Sequence, residues 1–336
     1  MVIEQRKLGT QGLTVPALGL GIMGMSGVAG APAMYGATDD TESLATIHRA
    51  LELGINFFDT AEVYGPGRNE ELLCKALAGG RRRETIIATK FGFKFTPDGR
   101  IDGVDSRPEN VRRALEGCLK RLGTDYVDLW YQHRLDRSVP IEDTVGVMAE
   151  QVRAGKVRYL GLSEVGVATL RRAHAVHPIS ALQSEYSIWE RNVEGPVLDT
   201  CRELGIGLVP YCPLGRGFLT GTVASNEQLA ESDYRRHDPR FSAENHERNQ
   251  RVLETLQAVA GRHGATTAQI ALAWLLAQGR DIVPIPGTKR RSWLDENVAA
   301  LKLRLGAEDL QQLNNLGAAA GERYTPRGMA SIDRAM

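Results

Sequence analysis

Short apolar runs alternate with helix-like segments along most of this chain. The runs are rich in β-branched and aromatic residues, as are strands buried on both faces of a parallel sheet. The candidate strands are 17–21, 56–59, 85–90, 127–132, 159–163, 181–186, 207–211 and 282–284. Amphipathic stretches between them predict helices at 40–53, 107–122, 141–154 and 167–175. About eight strand and helix units close into a barrel, so the sequence predicts an α/β fold of the (β/α)8 TIM barrel type.

Two segments fall outside this alternation. Residues 6–15 contain two glycines and predict an N-terminal β-hairpin that caps the barrel floor. The connection between Tyr211 and Ile282 is too long for one crossover helix, because it holds a polar stretch at 221–249 before a helical run at 268–277. We therefore expect a long insertion after strand 7, which serves as a lid or a binding loop above the barrel.

Length and charge narrow the classes of function. The 336 residues contain no Pro/Ser-rich linker or break in composition, so we expect one domain over residues 1–336. The 41 basic residues are balanced by 41 acidic ones, which gives no basic surface for nucleic acid or an anionic membrane. The expected partner is a small molecule, and the sequence predicts no particular oligomeric state.

Cysteine and histidine spacing gives no sign of disulfides or metal. The cysteines are scattered without a Cys-x-x-Cys pair, which favours reduced thiols. His174 and His177 lack further ligands at a suitable spacing, so no metal site is predicted. The chain starts without the apolar core of a signal peptide, and no apolar stretch approaches the about 18 residues of a membrane span. We expect a soluble cytoplasmic protein.

Polar side chains follow three neighbouring candidate strands at the point where each strand ends. Asp59 closes one run, with Tyr64 five residues later, Lys90 closes the next, and His133 follows a third. The carboxyl ends of parallel strands meet at one end of a barrel, where barrel enzymes keep their active sites. A lone Asp–Lys pair at strand ends is more often structural, but the joint placement of these four residues favours a catalytic site.

These four groups suit proton transfer to a substrate oxygen. A free phenol has a pKa of about 10, and a nearby ammonium favours its ionised form. We therefore expect Lys90 to lower the pKa of Tyr64, and Asp59 to keep Lys90 charged. His133 is expected to bond the same oxygen. Because no Ser or Cys nucleophile is evident, the expected attacking group is a hydride from a cofactor.

Several motifs in this order resemble the aldo-keto reductases, barrel enzymes that reduce carbonyl groups with NADPH. The motifs are Leu18-Gly19-Leu20-Gly21, Asp59 to Tyr64, Thr89-Lys90, Gln132-His133-Arg134, Gly161-Leu162-Ser163, Leu182-Gln183-Ser184-Glu185-Tyr186, Tyr211-Cys212-Pro213-Leu214-Gly215, Ile285-Pro286-Gly287-Thr288 and Glu296-Asn297. The resemblance covers nearly the whole chain. It implies a catalytic tetrad of Asp59, Tyr64, Lys90 and His133, with Tyr64 as the proton donor to an aldehyde or ketone.

The resemblance also implies a cofactor site for NADPH. Ser163 and Gln183 would hold the nicotinamide carboxamide, and Tyr211 would stack on the ring. Glu164 stands where the family most often has Asn, and an ionised carboxylate accepts hydrogen bonds but does not donate them. The full implied set is Gly24, Met25, Ser163, Glu164, Gln183, Tyr211, Pro213, Leu214, Gly215, Arg216, Gly287, Thr288, Lys289, Trp293, Glu296 and Asn297.

Within that set the parts of the cofactor are assigned to different segments. Residues 213–216 match the loop along the pyrophosphate, and 287–289 precede a helix whose N-terminus suits an anion. Glu296 and Asn297 match the adenine site. The triplet 289–291 is basic and favours a 2′-phosphate, hence NADPH over NADH. Trp293 stands where many relatives have Arg, so which cation binds the phosphate is open.

The segment Gly19-Leu20-Gly21-Ile22-Met23-Gly24 matches the dinucleotide fingerprint letter for letter. A glycine-rich loop follows it instead of the helix that the fingerprint requires, so the match is weak. We interpret the segment as the first strand and its loop, and we expect Met25 to contact the nicotinamide ribose.

The substrate wall and the reaction class complete the expectations. Phe91, Phe93 and Phe95 follow the third strand and Trp189 follows the sixth, which predicts an apolar or aromatic substrate wall. Two alternatives stay open. One is a Schiff-base aldolase that uses Lys90. The other is a non-catalytic NADPH-binding module similar to the β-subunits of voltage-gated potassium channels.

Overall fold

The strands form two hairpins and one large parallel sheet. The computed structural model describes residues 3–31, 34–223 and 229–333. Its strands are β1 (Gln5–Leu8), β2 (Leu13–Pro16), β3 (Leu20–Gly21), β4 (Phe57–Asp59), β5 (Ile86–Phe91), β6 (Phe93–Phe95), β7 (Ile101–Val104), β8 (Val127–Gln132), β9 (Val157–Ser163), β10 (Ile179–Glu185) and β11 (Gly207–Tyr211). Seven of them pair in the order β3-β4-β5-β8-β9-β10-β11. All six pairings are parallel, which confirms the predicted barrel.

Residues 282–287 lie between β11 and β3 and nearly close the barrel. The N–H of Val283 donates to the carbonyl of Leu208 (2.9 Å), and the N–H of Gly19 donates to the carbonyl of Pro284 (3.0 Å). Proline has no N–H to donate, and this segment holds two prolines, so it forms isolated bridges instead of a regular strand. The predicted eighth strand is therefore an irregular closing segment, and the predicted first strand is reduced to β3.

The N-terminal hairpin lies at the floor of the barrel, as predicted. β1 and β2 pair antiparallel, and their inward side chains Leu8, Leu13 and Val15 pack with residues inside the barrel. The N–H of Thr10 donates to the carbonyl of Gly205, just before β11 begins (2.9 Å). The hairpin thus covers the amino ends of the strands, opposite the end where a barrel keeps its active site.

Helices surround the sheet. They are α1 (Asp40–Leu53), α2 (Arg68–Ala76), α3 (Pro108–Leu122), α4 (Ile141–Arg153), α5 (Val167–Val176), α6 (Pro196–Leu204), α7 (Ala243–His263), α8 (Thr267–Ala277), α9 (Arg291–Ala299), α10 (Ala307–Asn314) and α11 (Pro326–Met329). The side chain of Asp39 caps α1 by accepting from the N–H of Thr41 (2.8 Å), and Gly54 ends it in a left-handed conformation (φ 86°). The four helices predicted from periodicity are all present.

The insertion after β11 is more ordered than its polar sequence indicates. Short 3₁₀ turns at Tyr234–His237 and Pro239–Phe241 lead into α7, which begins within the stretch predicted to be polar loop. Part of that stretch, residues 224–228, lies outside the described residues. Asp238 and Arg240 from this insertion are 1% and 0% exposed. The described part of the insertion is therefore anchored on the barrel by buried charges, which polar composition alone does not predict.

Apolar side chains fill two layers. One cluster lies between the sheet and the helices, and a second fills the inside of the barrel around Phe57 and Leu129. Within the residues described by the structure, none of the helices combines the length and apolar character needed to cross a bilayer. With its centre packed, the barrel leaves the carboxyl ends of its strands as the place for a functional site.

Candidate active site

Lys90 lies at the centre of the predicted tetrad. It projects from β5 beside β4, and its side chain is fully buried. Its Nζ lies 2.5 Å from Oδ1 of Asp59, 2.8 Å from the carbonyl of Thr60 and 3.3 Å from the hydroxyl of Tyr64. Gln183 donates to the other oxygen of Asp59 (2.8 Å). The structure therefore brings the predicted carboxylate, ammonium and phenol together in one hydrogen-bonded chain.

Burial and pairing act in opposite directions on Lys90. Desolvation lowers the pKa of Lys90 from its ordinary value, and the charge of Asp59 opposes that shift. Desolvation likewise raises the pKa of Asp59, and Lys90 opposes it. The geometry favours the charged pair, because an ammonium supplies one proton to each of the three oxygens around Nζ while Asp59 accepts from two donors.

Tyr64 retains its proton in this arrangement. Burial is the largest cause that raises the pKa of Tyr64 well above its ordinary value, and Asp59 raises it further. The net shift is upward because desolvation of the phenolate outweighs the positive charge of Arg134, and the expected contribution of Lys90 stays a prediction. A protonated phenol is the state that a proton donor requires before the reaction.

His133 faces Tyr64 and is neutral. Its ring lies edge-on to the rings of Tyr64 and Phe93, with centroids 5.9 and 5.0 Å away. Burial lowers the pKa of His133 well below its ordinary value, and the charges of Arg134 and Lys90 lower it further. Its Nδ1 is buried and has no hydrogen-bond partner in the part of the chain that the structure describes. A neutral imidazole without a partner is suited to bond a substrate oxygen.

Glu62 ties the loop that carries Tyr64 to the loop after β5. Its Oε1 accepts from the N–H of Gly92 (2.9 Å), next to Phe93, whose ring contacts His133. Burial raises the pKa of Glu62 to about 7. Glu62 is not among the predicted site residues, although it lies inside the motif from Asp59 to Tyr64.

The residues predicted to hold the nicotinamide carboxamide lie at the ends of β9 and β10. Ser163 Oγ accepts from Nη1 of Arg134 (3.2 Å), whereas Gln183 bonds Asp59 of the tetrad. Arg323 donates two hydrogen bonds to Glu164, from Nη1 to Oε1 (2.9 Å) and from Nη2 to Oε2 (2.6 Å). Glu164 therefore does more than replace an amide, because it binds the C-terminal segment to the barrel.

A second group of buried charges, which we call the mouth network, surrounds the carboxyl end of β10. Its members come from the loop after β9, from β10, from the loop after β11, from the insertion and from the C-terminal segment. They are Glu164, Glu185, Arg216, Asp238, Arg240 and Arg323. Glu185 accepts from both Arg216 (3.2 Å) and Arg240 (2.7 Å), and Asp238 also accepts from Arg216 (2.5 Å). Arginine and carboxylate charges balance here, which is how buried charges are tolerated.

Backbone in the left-handed region marks the predicted pyrophosphate loop. Among the described residues other than glycine, positive φ occurs at Glu164 (56°), Cys212 (49°) and Arg216 (55°). Such conformations cost roughly 1 kcal/mol or more each and cluster at functional sites. Tyr211 precedes this loop, and its hydroxyl lies 2.9 Å from that of Tyr324. The guanidinium of Arg216 is paired with carboxylates, so the main chain is the part of this loop that remains for an anion.

The basic triplet separates into three different environments. Lys289 donates to the carbonyls of residues 35–37, at 2.9, 2.9 and 2.6 Å. Arg291 forms two hydrogen bonds to Glu42, from Nε (3.2 Å) and Nη2 (2.9 Å). Arg290 stacks on the ring of Trp293, 4.6 Å from its centroid, and has no carboxylate within 4.0 Å among the described residues. Of the three cations, Arg290 is the one whose side chain forms no hydrogen bond or ion pair with a described residue.

The other predicted cofactor residues are spread along the barrel mouth. Met25 is fully buried in the main core. Asn297 is also buried, whereas Glu296 is half-buried. The remaining predicted positions are placed as follows: Gly24 and Leu214 are half-buried, Pro213, Gly215 and Thr288 are buried, and Gly287 is exposed.

The predicted aromatic wall is only partly at the site. Phe91 is fully buried against Trp130, with centroids 4.4 Å apart, and Trp189 is buried in a stack with Phe218 (4.5 Å). Both are core residues, since apolar rings pack wherever a protein interior needs volume. Phe93, which contacts His133, is the aromatic residue of this set that borders the tetrad.

Sequence reasoning missed the C-terminal contribution to this site. Arg323 bonds Glu164, and Tyr324 bonds Tyr211, although 159 and 113 residues separate these pairs. One signal was present: a carboxylate in place of the usual amide at position 164 requires a cation if it is buried. Nothing in the local sequence indicates which arginine supplies that cation.

Comparison with known proteins identifies the family. The model of the aldo/keto reductase family matches residues 17–318. The chain belongs to the aldo/keto reductase family. This reductase is 47% identical over 327 residues to a Glycine max protein named probable aldo-keto reductase 1, with 96% of this chain and 92% of that relative covered.

Solved structures of aldo-keto reductases share this architecture. A glycerol dehydrogenase from Gluconobacter oxydans has a TM-score of 0.83 at 26% identity, covering 94% of this chain and 95% of that one. The holo form of an aldo-keto reductase from Bacillus halodurans has a TM-score of 0.77 at 28% identity, covering 96% and 98%. Family and fold support carbonyl reduction by an oxidoreductase, and aldo-keto reductases in general use nicotinamide cofactors.

Proposed function

We propose that this reductase uses NADPH to reduce an aldehyde or ketone to an alcohol, with Tyr64 as the proton donor. The observation that carries the proposal is the chain from Asp59 through Lys90 to the hydroxyl of Tyr64, with separations of 2.5 and 3.3 Å. His133 completes the site on the other side of the phenol. Each of the four groups lies at the carboxyl end of the barrel, where substrates of barrel enzymes bind.

The residues present fit a phosphorylated nicotinamide dinucleotide. The loop at 212–217 has left-handed backbone at several positions, a geometry that turns main-chain N–H groups toward an anion such as a pyrophosphate. Arg290 precedes α9 as an unpaired cation held flat on Trp293, which supports its assignment to the 2′-phosphate. Lys289 and Arg291 already have partners and are proposed to shape the site. When bound, the cofactor supplies the hydride.

The chain's own residues position the carbonyl and deliver the proton. Tyr64 donates its proton to the carbonyl oxygen, and Lys90 stabilises the phenolate that forms. Asp59 keeps Lys90 charged and oriented. Neutral His133 donates a hydrogen bond to the same oxygen from the ring nitrogen that carries its proton.

The Schiff-base alternative has less support. An imine requires the amine of Lys90 to turn its lone pair toward a carbonyl carbon. Three oxygens hold Nζ in place, and the side chain is fully buried. We therefore rank carbonyl reduction first. No observation on the described residues favours a purely non-catalytic module.

The proposal is tested by following nicotinamide absorbance with the purified protein and a panel of aldehydes, ketones and sugars. Wild type should consume NADPH with at least one class of carbonyl compound. Tyr64→Phe should lower kcat by about 10² or more, because general acids contribute that much. The affinity of the variant for NADPH, measured by fluorescence titration, should stay close to wild type. Activity of Tyr64→Phe within about tenfold of wild type would remove the proton-donor assignment.

A further inference from the structure

Arg134 carries a positive charge at the catalytic site that the proposed mechanism does not use. It directly follows His133 at the end of β8 and is half-buried. Its Nη1 donates to the carbonyl of His133 (2.7 Å) and to Oγ of Ser163 (3.2 Å). These two bonds fix the guanidinium between the ends of β8 and β9, next to the tetrad. The protein therefore holds this side chain in a fixed position, unlike a free arginine on the surface.

Arg134 forms no direct ion pair with any residue that the structure describes. No carboxylate of the described residues lies within 4.0 Å of it, whereas the buried Arg216, Arg240 and Arg323 each have at least one. The phenols of Tyr211 and Tyr324 and the carboxylate of Glu164 act on this charge from a longer distance. The pKa values of the two phenols are raised, so they stay neutral, and Glu164 already accepts two hydrogen bonds from Arg323. A partly desolvated guanidinium without a partner is costly to hold in a protein. Its presence at a reaction site therefore points to an anionic ligand.

The free donors of Arg134 define the shape of that ligand. Both of its hydrogen bonds use Nη1, so the edge formed by Nε and Nη2 bonds no described residue and is not among the buried unsatisfied atoms. In other arginines of this protein the Nε–Nη2 edge donates two hydrogen bonds to one carboxylate. Arg172 bonds Glu142 in this way (2.7 and 2.6 Å). Arg235 does the same with Asp233 (2.9 and 2.7 Å). Two parallel N–H donors match the two oxygens of a carboxylate.

We propose that the Nε–Nη2 edge of Arg134 binds a carboxylate of the substrate, so that this reductase prefers oxo acids, which are carbonyl compounds that carry a carboxylate. The inference rests on the proposed function, since it names the substrate class of the same site. The carboxylate would be bound by Arg134 while the carbonyl oxygen lies between Tyr64 and His133. Binding energy from a part of the substrate remote from the reaction then orients the reacting carbonyl.

The test compares oxo acids with their neutral methyl esters. Glyoxylate, 4-oxobutanoate and 4-formylbenzoate differ in the spacing between carbonyl and carboxylate, and each is assayed with NADPH beside its ester. For wild type, kcat/KM should favour at least one acid over its ester by about tenfold or more, as one charge-assisted pair supplies. Arg134→Gln should lower that ratio by about tenfold. A fall in kcat/KM that is equal for the acid and the ester does not change the ratio. Arg134→Lys should give an intermediate ratio, because it keeps the charge but loses the two parallel N–H donors.

One control variant and three contradicting outcomes make the result decisive. Arg112→Gln removes an exposed arginine of α3 that pairs with Glu150, and it should leave the ratio at the wild-type value. If Arg134→Gln had the same acid-to-ester ratio of kcat/KM as wild type, the proposal would be overturned, even if its activity were lower. An equal loss of activity on both substrates would show that Arg134 acts by positioning Ser163 or His133. A raised KM for NADPH with an unchanged ratio would likewise overturn it, by assigning Arg134 to the cofactor. Wild type that favours no acid over its ester would also overturn it.

A binding measurement separates this inference from the proposed function. Butanedioate carries carboxylates but no reducible carbonyl, so it should raise the Tm of wild type and have a much smaller effect on Arg134→Gln. Equal shifts in both proteins would overturn the inference without reference to activity. If neutral aldehydes are reduced but no acid is preferred, the inference fails alone. If no carbonyl compound is reduced, the proposed function fails, and the shifts of Tm still decide whether Arg134 binds a carboxylate.

Discussion

The tetrad and the mouth network are two buried sets of charges at the same end of one barrel, and they are built in opposite ways. Asp59 and Lys90 are 31 residues apart, and both lie in the sheet, on the neighbouring strands β4 and β5. Glu164 and Arg323 are 159 residues apart, and Arg323 lies outside any strand or helix. The Asp59–Lys90 pair of the tetrad is positioned by the sheet itself, whereas the arginines of the mouth network lie on segments that must first fold onto the barrel.

This difference has a consequence for what each set does. The tetrad contains a phenol and an imidazole that can exchange protons, so changes there should affect chemistry first. The mouth network contains only arginines and carboxylates that neutralise each other across five parts of the fold. Changes there should affect stability first, because an unpaired buried charge remains.

The largest stability effect is expected from Glu185→Gln. Glu185 accepts from Arg216 and Arg240, so its loss leaves two fully or nearly fully buried guanidinium groups with fewer negative partners. The free energy of unfolding should fall by about 3–5 kcal/mol, measured by urea denaturation. Glu203→Gln is the matched control, since Glu203 pairs with Arg171 at the exposed surface, and it should cause no measurable change. Equal effects of the two substitutions would show that the mouth network does not stabilise the fold.

Glu62→Gln sharpens the comparison by changing a carboxyl group that belongs to the tetrad's loop. Burial raises the pKa of Glu62 to about 7, above that of an unfolded chain, so the folded state binds more protons between these two values. Its contribution to stability is therefore fully present at low pH and is lost as the pH rises toward 7. Between pH 5 and 8, wild type should lose about 1–3 kcal/mol of unfolding free energy relative to Glu62→Gln. Identical pH profiles for the two proteins would contradict the shifted pKa.

The smallest effect is expected at the periphery of the cofactor site. Arg290→Gln should raise the KM for NADPH by about tenfold and leave the KM for NADH close to wild type, because only the 2′-phosphate is lost as a partner. Arg291→Gln is the control, since Arg291 is already paired with Glu42. A larger loss from Arg291→Gln than from Arg290→Gln would reverse the assignment of the 2′-phosphate.

The sequence predicted those parts of the fold and site that follow from strand order. Strands that read as apolar runs ended where Asp59 and Lys90 were expected, and both residues meet because neighbouring parallel strands end together. The eighth strand was predicted but is irregular, since its two prolines cannot donate to a ladder. The short helix α2 was not predicted, although it follows the tetrad loop directly.

The remaining features depend on long-range packing. Arg323 and Tyr324 reach the site from the C-terminal segment, and no local pattern predicts such a contact. The net direction of the pKa shift of Tyr64 does not follow from the sequence, which shows the nearby Lys90 but not the extent of burial. Trp189 was assigned to the substrate wall because an aromatic residue after a strand fits both a pocket and a core. Only the packing of its neighbours separates these roles.

The most direct test of the central claim is a double-mutant cycle of Tyr64→Phe and Lys90→Met, with kcat for NADPH-dependent carbonyl reduction measured for all four proteins. If Lys90 acts through the phenol of Tyr64, the two residues form one unit, and their losses should not multiply. The account predicts that the double variant has a kcat within about threefold of Tyr64→Phe alone. A double variant whose loss equals the product of the two single losses would show that Lys90 and Tyr64 act independently, and would contradict the proposed mechanism.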